Sequence, residues 1–313
     1  MHDDGAAYRF VIDRPNASQV TNESAEFCFA DDYPAFIPYV NDNRGGERYC
    51  YSFESYYDEQ PLSKMFKDSL AITPLAVCLP DGLKAIVMDA GVEDYPGMML
   101  KGEKSEKLVA EFAPYPLEQE IGGYARLNLV PTKRANYIAR LEGKRSLPWR
   151  AVVITEKDAD ILNCDMAQRL APECRIKDTS WIKPGKVAWD WWNNTNISGV
   201  DFQSGMNTDT YLYYIDFAAK NKIEYIIIDE GWSGKESLME DLNPEIDLKR
   251  LIAYGQQKGV GIILWSSWRN LIGSNPLGDV SVTDYKHTQQ TVSSSDRLKI
   301  HLSSGGGWTA IIR

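Results

Sequence analysis

Trp181-Ile-Lys-Pro-Gly-Lys-Val-Ala-Trp-Asp-Trp-Trp-Asn-Asn194 opens the part of the chain that decides the fold. Three short apolar runs follow one another in it, Val187–Trp192, Tyr225–Asp229 and Val260–Trp265, starting about 35 to 38 residues apart. A helix-period segment fills each gap, and strands alternating with such segments predict βαβ units. In 207–222 the residues Tyr211, Tyr214, Ile215 and Ala218 recur at three and four, giving one apolar face, with Asn207 or Thr208 as the cap. In the second gap Pro244 stands where a first helical turn tolerates proline. Ile246, Leu251 and Ile252 supply a buried face, and Gly259 stops the helix. Each run ends in residues foreign to a core: Asp190, Trp191, Trp192 and Asn193, then Asp229, Glu230 and Trp232, then Trp265 and Trp268. Chemistry in a parallel β/α barrel sits at the carboxyl ends of its strands. Acids and tryptophans there describe a sugar site.

The 313 residues are enough for two or more domains. A net charge of −10 argues against nucleic acid or an anionic membrane as the main partner. Nine Trp and seventeen Tyr admit an aromatic-rich core, but the tryptophans cluster at strand ends, which favours stacking platforms for sugar rings. The five cysteines form no CxxC pair. Cys28, Cys50 and Cys78 are expected as buried thiols, and Cys164 with Cys174 can bridge in an oxidising compartment. Three scattered histidines make neither a triad nor a zinc site. Met1-His-Asp-Asp4 opens without the apolar run of a signal peptide, and no stretch reaches membrane-spanning length.

The region before Trp181 reads as β-structure. Residues 7–12 and 26–30 alternate, and 73–78, 84–88, 125–130 and 151–155 are further short strands bounded by turn residues. This spacing suits a large sandwich. Residues 157–170 are expected to be helical, with Ile161, Leu162, Met166 and Leu170 at helical spacing. Tyr51-Ser-Phe-Glu-Ser-Tyr-Tyr57 reads as an exposed strand. Gly91-Val-Glu-Asp-Tyr-Pro-Gly-Met-Met99 reads as a turn carrying two carboxylates ahead of a rigid Pro-Gly. After Trp268 the pattern is turn-rich and then strand-like, ending in Leu298-Lys-Ile-His-Leu302, a Gly305-Gly-Gly turn and 308–312.

Pro184-Gly-Lys-Val-Ala-Trp-Asp-Trp-Trp-Asn193, Tyr214-Ile-Asp-Phe-Ala-Ala219, Ile223-Glu-Tyr-Ile-Ile-Ile-Asp-Glu-Gly-Trp232 and Gly261-Ile-Ile-Leu-Trp265 resemble glycoside hydrolase family 97. The resemblance implies an exo-acting α-glucosidase or α-galactosidase of the kind found in gut Bacteroidetes, often calcium-dependent, taking an oligosaccharide or small glycoside. It implies an N-terminal β-super-sandwich, a (β/α)₈ barrel and a small C-terminal β-domain, and a periplasmic or cell-envelope location. On it we expect a β-sandwich domain over 1–177, a partial barrel of about three βα units over 178–272, and a C-terminal β-hairpin segment over 273–313. A barrel of this type takes about 250 residues, whereas Pro184 to Arg313 is 130 residues. The resemblance therefore points to a fragmentary or internally deleted member.

Hydrolysis of an α-glycoside needs an acid for the leaving oxygen and a second carboxylate on the opposite face. The resemblance places these carboxylates on later strands, so they are expected to be missing here. Asp229 and Glu230 are the nearest local pair, but adjacent strand residues point to opposite faces. One is then a sugar-orienting carboxylate and the other its structural partner. Asp190, Trp191, Trp192, Asn193, Trp232 and Trp265 are the expected sugar contacts. The alternative is that these acids cap helices or pair with Lys186 or Lys222. Glu93 is implied as one calcium ligand, far short of the six to eight oxygens calcium takes. The other readings of the whole chain are a non-catalytic carbohydrate-binding remnant and a non-functional gene fragment.

Overall fold

A computed structural model of the chain describes residues 4–40, 47–49, 53, 55–103, 106–123, 128–233 and 242–265. Trp268 and the segment 273–313 lie outside these residues, as does Glu54. The chain divides into two compact units, Met1–Cys174 and Arg175–Arg313.

The first unit is built from antiparallel strands. A six-stranded sheet runs in the order Gly5–Tyr8, Trp149–Thr155, Lys84–Ala90, Leu75–Cys78, Pro34–Ile37 and Asp58–Pro61. A three-stranded sheet places Lys107–Phe112 between Glu26–Cys28 and Met98–Gly102. In Lys107–Phe112 every second side chain is buried, as a two-residue period requires. Leu108, Ala110 and Phe112 thus share one core with Ile37, Leu75, Val77, Ala85 and Val87 of the larger sheet. This is a sandwich-like core, as the alternation predicts. Lys84–Ala90 is buried on both faces, because Ile86 and Ala90 pack on the far side with Ala151, Val153, Met166 and Leu170.

Three expectations for this unit need correction. Residues 7–12 are not one strand: Gly5–Tyr8 pairs with Trp149–Thr155, while Val11–Ile12 pairs with Arg145–Ser146. The helix over 157–170 breaks into Asp158–Leu162 and Met166–Leu170. The backbone N–H of Asn163 donates to Asp160 O at 3.1 Å and closes the first piece on a tight 3₁₀-type turn. Only Met166 and Leu170 of the four spaced residues reach the core. Cys28 is exposed rather than buried, since its strand presents only Phe27 inward. Cys78 is half-buried, and Cys164 is a free thiol.

The second unit is a parallel β/α arrangement. Strands β1 (Val187–Trp189), β2 (Tyr225–Ile228) and β3 (Gly261–Leu264) form a parallel sheet in chain order. The register sets Trp189 beside Ile227 and Ile227 beside Ile263. A central parallel strand is covered on both faces and reads as continuous apolar sequence, which Tyr225-Ile-Ile-Ile228 is. Helix α1 (Thr208–Asn221) joins β1 to β2, and α2 (Leu248–Lys258) joins β2 to β3. Asn207 caps α1 by accepting from Thr210 N at 3.0 Å. The apolar face of α1, with Tyr211, Ile215 and Ala218, packs with Ile226, Ile228, Leu251 and Ile262 in one core. Helix α2 starts later than Pro244 suggests. Asp247 is its cap, accepting from Arg250 N at 3.0 Å. The backbone before it is occupied at the start of α1, where Glu245 O accepts from Thr208 N at 3.0 Å. Gly259 ends α2 with φ +71°, a left-handed conformation that glycine adopts without a Cβ clash.

Candidate functional site

At the end of β1 the chain turns through a single 3₁₀ segment, Asp190–Asn193, and Asn194 follows in the left-handed region. This turn separates the four expected contacts. Asp190 goes inward and is 1% exposed, whereas Trp191 and Trp192 are 61% and 76% exposed. Tryptophans this exposed are unusual unless they meet a partner, because their large apolar rings gain by burial. They are not isolated. Trp189 stacks on Trp191 with centroids 5.5 Å apart and planes 24° apart, and it meets Trp192 edge-on at 5.8 Å. Trp191 and Trp192 also meet edge-on, at 5.6 Å. Aromatic pairs of this geometry contribute about 0.5–1.5 kcal/mol each beyond area burial, so the three rings hold one another as a platform.

At the end of β2, Asp229 is 8% exposed. Its Oδ2 accepts from Trp189 Nε1 at 2.5 Å, and its Oδ1 accepts from Glu230 N at 2.6 Å. Glu230 is exposed. Asp229 is thus tied to the tryptophan platform, and its neighbour points into solvent. Asp190 lies below them. The Tyr211 hydroxyl donates to its Oδ2, and Asp229 N approaches the same oxygen at 3.5 Å. Its Oδ1 is buried without a hydrogen-bond partner among the described residues. Burial pushes the Asp190 carboxyl above its usual range, aided by the nearby charge of Asp229 and opposed by the bonds from Tyr211 and the backbone. The Tyr211 hydroxyl is pushed up strongly, by burial first and by its bond to Asp190 second.

The remaining expected contacts are spread out. Asn193 accepts from the Tyr214 hydroxyl at 2.7 Å and donates to Asn196 O at 2.8 Å, which fixes the turn. Trp232 is 3% exposed and belongs to the core, donating from Nε1 to Trp265 O at 2.7 Å. Trp265 is half-buried at the end of β3. The structure therefore brings Asp190, Trp191, Trp192 and Asp229 together, and turns Trp232 inward. Among the described residues neither Asp190 nor Asp229 pairs with Lys186 or Lys222. Lys186 instead donates its backbone N to Glu224 at 2.7 Å.

Trp189 and Tyr211 were not legible as site residues from sequence. Trp189 counted as strand and Tyr211 as helix core. Parity held a signal for Trp189: Ile227, its register partner, shares a strand face with residue 229. An indole there reaches across the roughly 4.8 Å between strands.

In the first unit, Glu93 lies on the exposed loop after Lys84–Ala90. Arg145 clasps this loop, donating to Glu93 O at 2.8 Å and to Asp94 Oδ2 at 2.9 Å. Glu93, Arg9, Arg145 and Trp149 line a cavity of about 250 Å³. Among the described residues no group of three or more His, Cys, Asp or Glu side chains converges on a metal position. With Asp94 held by Arg145, these residues do not make a calcium cage.

The described residues thus comprise a sandwich-like unit and a unit of parallel βα units with an acid and exposed tryptophans at its strand ends. Residues 1–172 match the model of the glycosyl-hydrolase 97 N-terminal domain, and residues 189–296 match that of glycoside hydrolase 97. The chain belongs to glycoside hydrolase family 97. It is 42% identical over 274 residues to a retaining alpha-galactosidase of Bacteroides thetaiotaomicron, covering 85% of this chain and 41% of that protein. It is 26% identical over 286 residues to a probable retaining alpha-galactosidase of Streptomyces bingchenggensis, covering 87% of this chain and 37% of that one. A family 97 enzyme from Pseudoalteromonas sp. strain K8, solved in complex with acarbose, superposes with a TM-score of 0.60 at 26% identity. That match covers 83% of this chain and 38% of the other. The chain thus spans about two fifths of the length of these relatives. Among the described residues no helix is long and apolar enough to cross a membrane.

Proposed function

We propose that this chain takes part in α-galactoside hydrolysis, and that the carboxyl ends of β1 and β2 bind the terminal α-linked galactose. The observation that carries the reading is the junction of Asp229 with the exposed Trp191 and Trp192 through Trp189. A pyranose has an apolar face for a ring platform and hydroxyls for a fixed carboxylate. Galactose is preferred to glucose because the 42%-identical relative is an alpha-galactosidase. The three parallel strands are the opening βα units of a (β/α)₈ barrel in this reading.

Asp229 orients a sugar hydroxyl; Glu230 is adjacent to it and exposed. Two carboxylates acting on opposite faces of a sugar stand roughly 5 Å or more apart across it, an arrangement that neighbouring residues on one strand do not offer. The acid and the nucleophile are therefore not assigned to this pair. Binding with little turnover is the second reading, favoured by the same observation. Glu93 supplies at most one carboxylate toward calcium.

Calorimetric titration of the 313-residue chain with melibiose and with maltose tests the proposal. Binding of melibiose in preference to maltose, lost in Trp191→Ala/Trp192→Ala, supports it. Equal or absent binding of both sugars contradicts it.

A further inference from the structure

Asp229, Trp191 and Trp192 meet one sugar only if something keeps them in register. They come from two strands, and the tryptophans sit on a 3₁₀ turn rather than in the sheet. Exposed rings on such a turn have little to fix them, and an acid just past a strand end has lost its ladder partners. Trp189 touches all three. It is the last residue of β1, still held in the parallel ladder opposite Ile227. Its half-buried indole stacks on Trp191, meets Trp192 edge-on, and donates its single N–H to Asp229 Oδ2 at 2.5 Å. An indole has one donor and no acceptor, so this bond commits it wholly to Asp229. A hydrogen bond to a carboxylate is charge-assisted, one of the stronger classes of side-chain hydrogen bond. It occupies one oxygen of Asp229, and Glu230 N engages the other at 2.6 Å, which fixes the carboxylate plane.

We propose that Trp189 is the positioning residue of the site, setting the carboxylate of Asp229 and the rings of Trp191 and Trp192 in one geometry through a single side chain. It acts through these residues and needs no contact with the sugar. The inference rests on the carbohydrate reading of the site. Its consequence is that the acid and the platform are energetically coupled, so removing the indole N–H misaligns Asp229 even where the aromatic stack survives.

A double-mutant cycle on the full 313-residue chain tests this, using melibiose affinity by calorimetry for the parent, Trp189→Phe, Asp229→Ala and the double variant; alanine, unlike asparagine, leaves the indole no acceptor. Phenylalanine keeps an aromatic ring and removes the donor. Trp189→Phe is expected to weaken melibiose binding about tenfold, the scale of a hydrogen bond to a charged group. The double variant is expected to bind no more weakly than Asp229→Ala alone, since coupled residues are not additive. A second measurement needs no ligand and no change at Trp189. In the parent chain the Trp189 indole proton should lie downfield and exchange slowly with solvent, and in Asp229→Ala it should move upfield and exchange faster. Additive losses in the cycle, or an indole proton indifferent to Asp229→Ala, overturn the role of Trp189 while the sugar site stands. Absence of melibiose binding by the parent chain overturns the carbohydrate reading and the role together.

Discussion

Arg150 and Glu23, 127 positions apart, meet through two parallel hydrogen bonds inside the first unit, Nε to Oε1 at 2.7 Å and Nη2 to Oε2 at 2.8 Å. Both side chains are buried. The same glutamate accepts from the Tyr95 hydroxyl at 2.9 Å, and Phe112 lies under the guanidinium at 4.7 Å. Asp89, beside Arg150 in the sheet, accepts from Met98 N at 2.8 Å. Thus Asp89 closes the base of the loop that carries Glu93 and Asp94 at Met98, and Glu23 holds the same loop at Tyr95.

Removing one member of that pair leaves a buried charge without its counterion. Arg150→Met should destabilise the first unit by about 3–5 kcal/mol, the usual cost of breaking a buried pair. Adding Glu23→Leu should recover much of the loss, because the charge that lacked a partner is gone. Urea denaturation of the three variants checks both signs. A loss under about 1 kcal/mol for Arg150→Met would mean that the pair is solvated.

Asp190 gives a pH signature. Burial raises its carboxyl pKa, so between the ordinary aspartate range and the raised value the folded chain holds a proton that the unfolded chain has lost. Its contribution to stability is then full below the ordinary range and declines as pH rises through the raised value. Asp190→Asn removes this slope and still offers Tyr211 an acceptor. The variant should gain on the parent in urea midpoints as pH rises above the ordinary aspartate range. An unchanged or reversed difference would refute the raised carboxyl.

The two helices of the second unit end differently. Helix α2 stops at Gly259, with φ +71° and open space around a notional Cβ. Helix α1 stops at Lys222 with φ +55°. A left-handed L-residue costs about 1–2 kcal/mol, and glycine returns about 0.4–1 kcal/mol through the freedom of the unfolded chain. Lys222→Gly should therefore stabilise by roughly 0.5–1 kcal/mol, and Gly259→Ala should destabilise by about 1 kcal/mol. Thermal midpoints read both, and destabilisation by Lys222→Gly would show that its side chain contributes more than its backbone costs.

The legible parts of this chain were those where one period dominates. Tyr211, Tyr214, Ile215 and Ala218 recur at helical spacing and do form the buried face of α1. Tyr225-Ile-Ile-Ile228 is apolar throughout and is the central parallel strand. What sequence left hidden depends on partners far away in the chain. The buried place of Arg150 follows from Glu23 and the rings around it, which no local pattern records. The strand Asp58-Glu-Gln-Pro61 has no apolar alternation and exists because Pro34–Ile37 offers it an edge. At the site, Asp190 and Trp191 are neighbours in sequence with opposite fates. The 3₁₀ turn between strand and helix decides which is buried, and it carries no period of its own.

Turnover follows from the placement of the acids. With Asp229 bound on both oxygens and Glu230 beside it in solvent, hydrolysis of p-nitrophenyl α-galactoside by this chain should stay below about 1 s⁻¹, the low end for ordinary enzymes. A faster rate, abolished by Asp229→Asn or Glu230→Gln, would assign the chemistry to this pair after all.

The most direct measurement is an indole ¹H–¹⁵N spectrum of the nine tryptophans during titration with melibiose. The resonances of Trp189, Trp191 and Trp192 are expected to move together along one binding curve, while that of Trp149 in the first unit stays in place. Resonances of Trp191 and Trp192 that do not move, or a response confined to Trp149, would contradict a galactose site at the ends of β1 and β2.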